Sequence, residues 1–311
     1  MDVSPTRPHR ISNEVAGLGF GLLGVTIFGL TLPFTRFAVA ELDPTLVALA
    51  RALVAGALAA VLLCALRCPW PTRPQCRRLV VVSIGVVFGF PLASSWAMRS
   101  IPASHGAIVN GLLPIATAAM AAWRFGERPS PRFWVFAVAG SLCVLAFAAF
   151  EAVRLGHGLG LHQGDALMLI AVVLAALGYA EGGRLARELG GWQTICWALI
   201  VSLPVLAPIV AGLTFIHLDQ IKLASARAWI GFGYVSVFSM FLGFFAWYKG
   251  LALGGIARVG QVQLLQIFIT IGFAATLFGE RVALSTWIFA GAVLTCVAAG
   301  RKAPISTTRK T

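Results

Sequence analysis

Apolar residues in this chain fall into long continuous blocks, separated by short stretches that carry most of the charge. Within a block the apolar and polar positions do not alternate, so the pattern lacks the two-residue period of a membrane β-barrel. Each block is close to the ~20 residues that an α-helix needs to cross a bilayer. The pattern predicts ten membrane-spanning helices, at residues 15–35, 45–66, 79–98, 104–123, 133–150, 164–182, 194–214, 228–248, 257–278 and 283–300. We therefore expect an all-α polytopic membrane protein.

The composition supports this class and changes how the net charge is interpreted. The 311 residues are 59% hydrophobic and 11% charged, whereas soluble domains carry about a quarter charged residues. In a soluble protein the net charge of +13 would suggest binding to nucleic acid. Here the basic residues cluster in loops and tails beside the predicted helices. The composition thus predicts a lipid bilayer as surroundings and no nucleic-acid partner.

Lys and Arg are distributed unequally between the two sides of the predicted helices. The amino-terminal tail, the even-numbered loops with their adjoining helix ends, and the carboxyl-terminal tail hold 17 of the 24 basic residues. The odd-numbered loops hold 6, and Arg51 lies inside the second block. By the positive-inside rule, both termini are expected in the cytoplasm. The chain is predicted to be a multi-pass protein of the inner or plasma membrane, with no cleaved signal peptide.

Cysteine and histidine do not have the spacing of a metal site or a catalytic centre. The six cysteines lie mostly in or beside predicted helices, without a zinc-type pairing with histidine. An intramembrane lipid-modifying enzyme, the alternative from another functional class, would need Asp, His or Lys clustered at the membrane edge. The five histidines are scattered, and the chain has no HExxH motif. The sequence thus predicts no metal site, no cofactor and no catalytic residue.

The four residues Phe-Gly-Glu-Arg occur twice, at 125–128 and at 278–281, so the residue numbers of the two copies differ by 153. The same offset matches Trp134 with Trp287 and Cys143 with Cys296. A looser match with a slightly different offset relates residues 35–44 to 183–192. Internal similarity over such a distance predicts two homologous halves.

Each predicted half contains five helices, and because five is odd the chain enters its second half from the opposite side of the membrane. This predicts two inverted five-helix repeats, an arrangement typical of transporters. The predicted division is a cytoplasmic tail at 1–14, a first repeat at 15–150, an outer loop at 151–163, a second repeat at 164–300 and a cytoplasmic tail at 301–311. In the motif, glycine is expected to supply a tight turn. We expect Glu127 and Arg128 to anchor that turn at the interface.

Several of these features together resemble a known family. They are a proline-containing first helix followed by an arginine, Arg51 early in the second helix, and a Gly-Glu turn after helices four and nine. The stretches LGYAEGGRLARELGGWQTICWAL (177–199) and AWYKGLALGGIARVGQVQLLQ (246–266) add to the likeness. The chain resembles the EamA-type transporters of the drug/metabolite transporter superfamily over nearly its whole length.

The resemblance implies a secondary transporter that works by alternating access between inverted repeats. It implies a small-molecule substrate, with an exporter of a metabolite such as an amino acid as the leading interpretation. Efflux of cationic drugs is the alternative within transporters, and a homodimer is left open. The chain contains no nucleotide-binding motif, so ATP is not expected to be its direct energy source.

Polar side chains inside the predicted spans are candidates for substrate binding because burying them in hydrocarbon is costly. The offset of 153 pairs Asn110 of helix 4 with Gln263 of helix 9, and Thr117 with Thr270. Residues seven apart share one helix face, so each helix presents an amide and a hydroxyl on one stripe, and Gln266 adds a further amide. Interhelical hydrogen bonding is the alternative. We favour a cavity-lining role because the placement is symmetric.

Aromatic residues near helix ends are a second set of candidates. Trp96 and Trp247 occupy equivalent ends of helices 3 and 8, and Tyr179 lies in helix 6. They are predicted either to line the pore or to belong to the interfacial aromatic belt. Pro33, Pro91 and Pro114 are expected to mark bends in helices 1, 3 and 4.

Two ionisable residues leave structural and functional interpretations open. Arg51 is expected to snorkel or to pair with Glu41 or Asp43, with substrate contact as the alternative. Glu181, close to the apolar part of helix 6, is predicted either to bind a cationic group or coupling proton, or to cap the interface beside Arg184.

Overall fold

The structure is a computed structural model, and it describes residues 7–101, 106, 109–154, 163–278, 284–301 and 303–307. The α-helices are α1 Arg7–Gly29, α2 Thr31–Val39, α3 Pro44–Ala65, α4 Arg73–Val82, α5 Phe90–Ser100, α6 Leu113–Phe125, α7 Pro131–Arg154, α8 Gln163–Leu189, α9 Gly191–Ile216, α10 Leu218–Leu223, α11 Ala226–Gly233, α12 Gly243–Gly254, α13 Ile256–Gly260, α14 Gln266–Phe278 and α15 Leu284–Arg301. The remaining elements are π-helical segments at Ser83–Gly89 and Tyr234–Leu242, a 3-10 segment at Gln261–Leu265, and strands β1 Glu127–Pro129 and β2 Ile305–Thr307.

Within the described residues, six helical stretches are long and apolar enough to cross a membrane. They are Asn13–Val39, Pro44–Ala65, Arg73–Ser100, Gln163–Leu189, Gly191–Ile216 and Ala226–Gly254. Shorter apolar helices cover Pro131–Phe147, Ile256–Thr270 and Leu284–Gly300. These elements confirm the predicted all-α membrane fold. The predicted span 104–123 lies partly outside the described residues.

Among the described elements, extensive packing joins helices of the first half to helices of the second. α1 packs on α12, α3 on α9, α5 on α8 and α7 on α15. Close backbone approach makes the first contact possible, because a Cβ atom at Gly17 would lie 2.5 Å from the Gly254 nitrogen, and one at Gly250 would lie 2.7 Å from the Gly21 nitrogen. The small residues at 17–24 therefore serve close helix packing. The two halves form one bundle.

Both halves contain a π-helical segment at the same place. Helix Arg73–Ser100 and helix Ala226–Gly254 begin at positions that the offset of the sequence repeat relates to each other. The same offset relates the first residues of α5 and α12, Phe90 and Gly243, which directly follow the π segments. A π segment adds one residue to a turn and is frequent at functional sites. The sequence carries no signal that distinguishes these segments from ordinary helix.

The first copy of the Phe-Gly-Glu-Arg motif ends α6 as predicted. Gly126 has φ 64° and ψ 23°, the left-handed conformation that glycine adopts without steric cost. Glu127 is buried, and its Oε2 accepts a hydrogen bond of 3.2 Å from the Ala257 backbone N–H at the start of α13. The second copy lies mostly outside the described residues.

The carboxyl-terminal tail forms a contact that the sequence did not predict. β2 pairs with β1 in antiparallel register, with Arg128 opposite Ser306. The motif therefore contacts the second half through the Glu127 side chain and the carboxyl-terminal tail through this short ribbon.

Candidate functional site

A pocket lies between the two halves of the bundle, with about 420 Å³ of unfilled space including the space at its mouth. Helices from both halves contribute to its wall, and we call it the central pocket. The lining residues are Phe28, Thr31, Leu32, Arg51, Val86, Phe90, Asn110, Leu113, Tyr179, Ser239, Phe244 and Gln266.

The wall of the central pocket follows the internal repeat. Val86 and Ser239, one in each π-helical segment, are equivalent under the offset of the repeat, and both line the pocket. Leu113 and Gln266 are equivalent in the same way, and both line it too. Corresponding positions of the two halves therefore face one space.

Arg51 is the one charged side chain among the described residues of this wall, and it is 1% exposed. Its Nη2 donates to the Ser239 hydroxyl at 3.2 Å, and that hydroxyl is 2.8 Å from the Thr31 hydroxyl. The Nε and Nη1 atoms of Arg51 have no hydrogen-bond partner in the part of the chain that the structure describes. The guanidinium thus retains donors at the pocket.

The expected pairing of Arg51 with Glu41 or Asp43 is wrong. Both carboxylates are used elsewhere: Glu41 accepts from the Ser225 backbone N–H and hydroxyl, each at 2.6 Å, and Asp43 accepts from the Leu46 N–H at 2.9 Å as the cap of α3. Arg51 also does not snorkel, because its side chain is buried inside the bundle. Residue spacing alone did not show that its helix face points inward.

Asn110 lies in the central pocket, as predicted for a cavity-lining amide. It is 9% exposed, and its Oδ1 has no hydrogen-bond partner among the described residues. A buried acceptor without a partner costs free energy. Asn110 is therefore placed to accept a hydrogen bond from a bound molecule.

Helix α1 breaks directly at the pocket, where Pro33 cannot donate a hydrogen bond to the Gly29 carbonyl. The Thr270 hydroxyl donates to that carbonyl at 2.6 Å. Gln266 Nε2 donates to the Phe28 carbonyl at 3.2 Å, and the Tyr234 hydroxyl donates to the Ile27 carbonyl at 2.8 Å.

Three consecutive carbonyls of the first half are thus paired with side chains of the second half. The helix is interrupted between Gly29 and Thr31, close to Pro33, and a bend there stays a prediction. Thr270 does not line the pocket in the structure. Gln266 lines it, and its amide nitrogen donates to the Phe28 carbonyl at the helix break. Both residues provide the interhelical hydrogen bonding that was the alternative for this stripe.

Aromatic rings form the apolar side of the central pocket. Phe28 is 5.1 Å from Phe244 between ring centroids and 6.4 Å from Tyr179. Trp247 is fully buried behind this wall, 6.1 Å from Phe28 and 5.3 Å from Tyr179. Of the three predicted aromatics, Tyr179 lines the pocket and Trp247 supports it from behind. Trp96 is 45% exposed and donates to the Thr45 hydroxyl at 3.1 Å, away from the pocket.

Thr117 and Gln263 lie outside the pocket wall. Thr117 is fully buried beside Gly260, where a Cβ atom on the glycine would be 3.4 Å from its methyl group. Gln263 is buried in the 3-10 segment that follows. The Thr117 hydroxyl and both side-chain polar atoms of Gln263 lack partners within the described ranges. They form a second polar region at the contact of α6 with residues 260–263.

Glu181 lies in a group of paired charges that we call the Glu181 cluster, formed by Arg78, Arg124, Glu181 and Glu188. The Glu181 side chain is 2% exposed, and its two oxygens accept from Arg78 Nε at 2.6 Å and Arg124 Nε at 2.5 Å. Arg78 Nη1 also contacts Glu188 at 2.6 Å. The expected partner, Arg184, lies instead over the Phe125 ring at 5.0 Å. The cluster ties α4 and α6 of the first half to α8.

Comparison with known proteins shows which family has this fold. The model of the EamA-like transporter family matches residues 15–148 and, separately, residues 162–299. A protein of Bacillus subtilis (strain 168), named "Uncharacterized transporter YdeK", is 44% identical over 282 residues, which are 91% of this chain and 96% of that protein. A solved crystal structure of a protein 17% identical in sequence shares the fold, with a TM-score of 0.66 over 93% of this chain and 96% of that chain.

These matches confirm the resemblance drawn from the sequence, and they confirm that the chain is a membrane transporter rather than an enzyme. The two separate matches fit the two-repeat layout. The chain belongs to the EamA-like transporter family.

Proposed function

We propose that this protein is a secondary transporter that exports a small polar metabolite, such as an amino acid, through the central pocket. The observation that carries the proposal is the pocket itself. It lies between the halves, and two of its lining residues, Arg51 and Asn110, have buried polar atoms without a hydrogen-bond partner among the described residues. Arg51 offers hydrogen-bond donors there, Asn110 offers an acceptor, and Phe28 and Phe244 offer an apolar wall. Such a wall with a few oriented polar groups is what small-molecule sites provide.

The proposed topology is ten membrane helices in two inverted repeats of five. The matching π segments, the two family matches and the 17-to-6 distribution of basic residues support it. Under this topology Arg128 faces the cytoplasm and Arg281 the exterior, and both termini are cytoplasmic. The inner-membrane location and the open possibility of a homodimer stay predictions.

The topology is tested by placing single cysteines at 128 and 281 in a variant that lacks the six native cysteines. An impermeant thiol reagent added to intact cells should label position 281 and leave position 128 unlabelled until the membrane is opened. Equal labelling of both positions from outside would contradict the inverted arrangement.

Alternating access requires contacts between the halves that form in one state and break in another. The Glu181 cluster is suited to this role, because it joins α4 and α6 to α8 at the end of the bundle that the proposed topology places in the cytoplasm. In this proposal it closes the cytoplasmic side of the central pocket, and it opens when substrate enters from that side.

The proposed function is tested by overexpressing the protein in cells challenged with toxic amino-acid analogues and with cationic drugs, followed by transport in proteoliposomes of the purified protein. Asn110→Ala should weaken apparent substrate affinity by about tenfold, because it removes a hydrogen bond that costs about 1–3 kcal/mol to lose in a buried site. Gln220→Ala, an exposed amide, is the matched control. Resistance to neither class of compound, together with no transport in vesicles, would reject the function.

A further inference from the structure

The arrangement of charge around Arg51 identifies the chemical class of the substrate. A guanidinium is always ionised in proteins and carries five N–H donors. Arg51 uses one nitrogen toward Ser239, while the N–H of Nε and the two of Nη1 have no acceptor within the described part of the chain. An ionised group buried without a partner is strongly unfavourable, and more so inside a membrane. The buried charge of Arg51 is accounted for if an acceptor on a bound ligand supplies its missing partner.

Among the described residues, no carboxylate supplies that partner. None of the described lining residues of the central pocket is acidic. The nearest candidates by sequence, Glu41 and Asp43, are occupied by Ser225 and by the first turn of α3. Glu181 is held by Arg78 and Arg124. The charge at the pocket is therefore positive, and three N–H groups of Arg51 lack an acceptor within the described part of the chain.

Arg51 has no charged counterpart at the equivalent position of the second half. Other wall positions recur in both halves, as Val86 does with Ser239, but the offset of 148 that relates residues 35–44 to 183–192 leads from Arg51 to Leu199 in α9. Arg51 is thus an addition to a symmetric site. Its helix begins at Pro44, so its Cα lies about 10 Å along the helix from that end, at the 1.5 Å rise of each residue.

We infer that Arg51 is a substrate-binding residue and that the transported molecule carries a carboxylate. The carboxylate binds to N–H groups that Ser239 leaves free, the second N–H of Nη2 together with the N–H of Nε or of Nη1. Arginine holds carboxylates through two parallel hydrogen bonds, which is the recognition that a planar guanidinium favours. The apolar remainder of the molecule packs on Phe28 and Phe244. This inference rests on the proposed transport function and narrows it, since a cationic drug would be repelled by Arg51.

The experiment compares three forms of the same small molecule: the amino acid, its carboxamide and the amine that lacks the carboxyl carbon. Phenylalanine, leucine and alanine provide three such series with side chains of different size. The purified protein in detergent is titrated with each compound, and binding is followed by its thermal midpoint. At least one carboxylate form should stabilise the wild type and bind about tenfold or more tightly than its amide and amine, because charge-assisted hydrogen bonds are lost.

Arg51→Gln should abolish this preference, so that carboxylate, amide and amine bind alike. Arg51→Lys keeps the charge without the planar fork and should retain part of the preference. Arg77→Gln removes an exposed arginine of the same bundle and should behave as the wild type. The inference is overturned if no carboxylate form stabilises the protein, if amides or amines bind equally well, or if Arg51→Gln keeps the preference.

A second measurement separates binding from a structural role. Arg51→Met removes the buried charge and leaves Ser239 its hydrogen bond with Thr31. The thermal midpoint of the ligand-free protein should therefore rise, whereas an arginine that merely holds the bundle together would lower it when replaced. Transport of amines without carboxylates would overturn the inference and leave the transporter proposal intact. No transport of any form, together with no resistance to either class of compound, would reject both.

Discussion

Two buried ionic groups of this transporter, Arg51 in the central pocket and Glu181 in the Glu181 cluster, have opposite surroundings. Glu181 has both oxygens occupied by arginines of neighbouring helices at 2.5–2.6 Å. Arg51 has one hydroxyl partner and two nitrogen atoms with none among the described residues. A buried charge that the protein neutralises serves the protein's own structure, and one that it leaves unneutralised is available to a ligand. The two sites should respond to mutation in opposite directions.

The largest effect is expected at the paired charge. Glu181→Gln leaves Arg78 and Arg124 facing each other without the carboxylate that joins them, and breaking a buried ion pair costs about 3 kcal/mol. The thermal midpoint in detergent should fall clearly. Glu188→Gln is the matched control, because Glu188 contacts Arg78 at the same 2.6 Å but is 44% exposed, and exposed pairs contribute about 1 kcal/mol or less. Equal effects of the two substitutions would show that burial does not distinguish them.

The unpaired charge gives the second and smaller effect, with the opposite sign. Replacing buried ionic groups by apolar ones of similar size is often neutral or stabilising by about 1 kcal/mol or more. Arg51→Met should therefore raise the midpoint of the ligand-free protein. A fall as large as that of Glu181→Gln would mean that the two charges have the same role and would remove the contrast between them.

The smallest effect concerns Glu41, a fully exposed carboxylate outside the spans. The hydroxyl and backbone N–H of Ser225 lower the pKa of Glu41 below 4.5, because both hydrogen bonds favour its charged form. Its contribution to stability is thus complete above about pH 4.5 and disappears as the pH falls through the lowered folded-state value.

Thermal midpoints of wild type and Glu41→Gln should therefore differ slightly at pH 7 and converge below pH 4.5. The control is Asp219→Asn, an exposed carboxylate of α10. A difference that grows as the pH falls would contradict the role of Ser225. Compared with the buried Glu181, this result would show how little a paired charge contributes to stability when it is exposed to water.

The sequence predicted features that depend on neighbouring residues better than features that depend on residues far away in the chain. The apolar blocks predicted most of the helices, because lipid exposure imposes a composition on each span separately. Gly126 marked the end of α6, and Pro33 the break in the first span, because both act through their own backbone. Asn110 and Tyr179 were also placed correctly in the pocket, although their binding of substrate stays a prediction.

The environment of Arg51 was not predictable in the same way. It depends on which face of α3 points inward and on Ser239, which is 188 residues away in a π-helical segment. Hydropathy does not reveal π segments, because the extra residue in the turn leaves the composition unchanged. The pairing of β1 with the tail strand β2 was missed for a similar reason: three residues are too few to carry a strand pattern.

The break in the first helix has a consequence for how the chain is made. The carbonyls of Ile27, Phe28 and Gly29 receive their donors from residues 207, 238 and 241 positions further along the chain. During synthesis the first span is made long before those donors leave the ribosome, so the proline-freed carbonyl of Gly29 gains the Thr270 hydroxyl only after the second half has been made. The amino-terminal half therefore cannot complete its own first helix. The first helix made is therefore among the last to have its backbone hydrogen bonds completed.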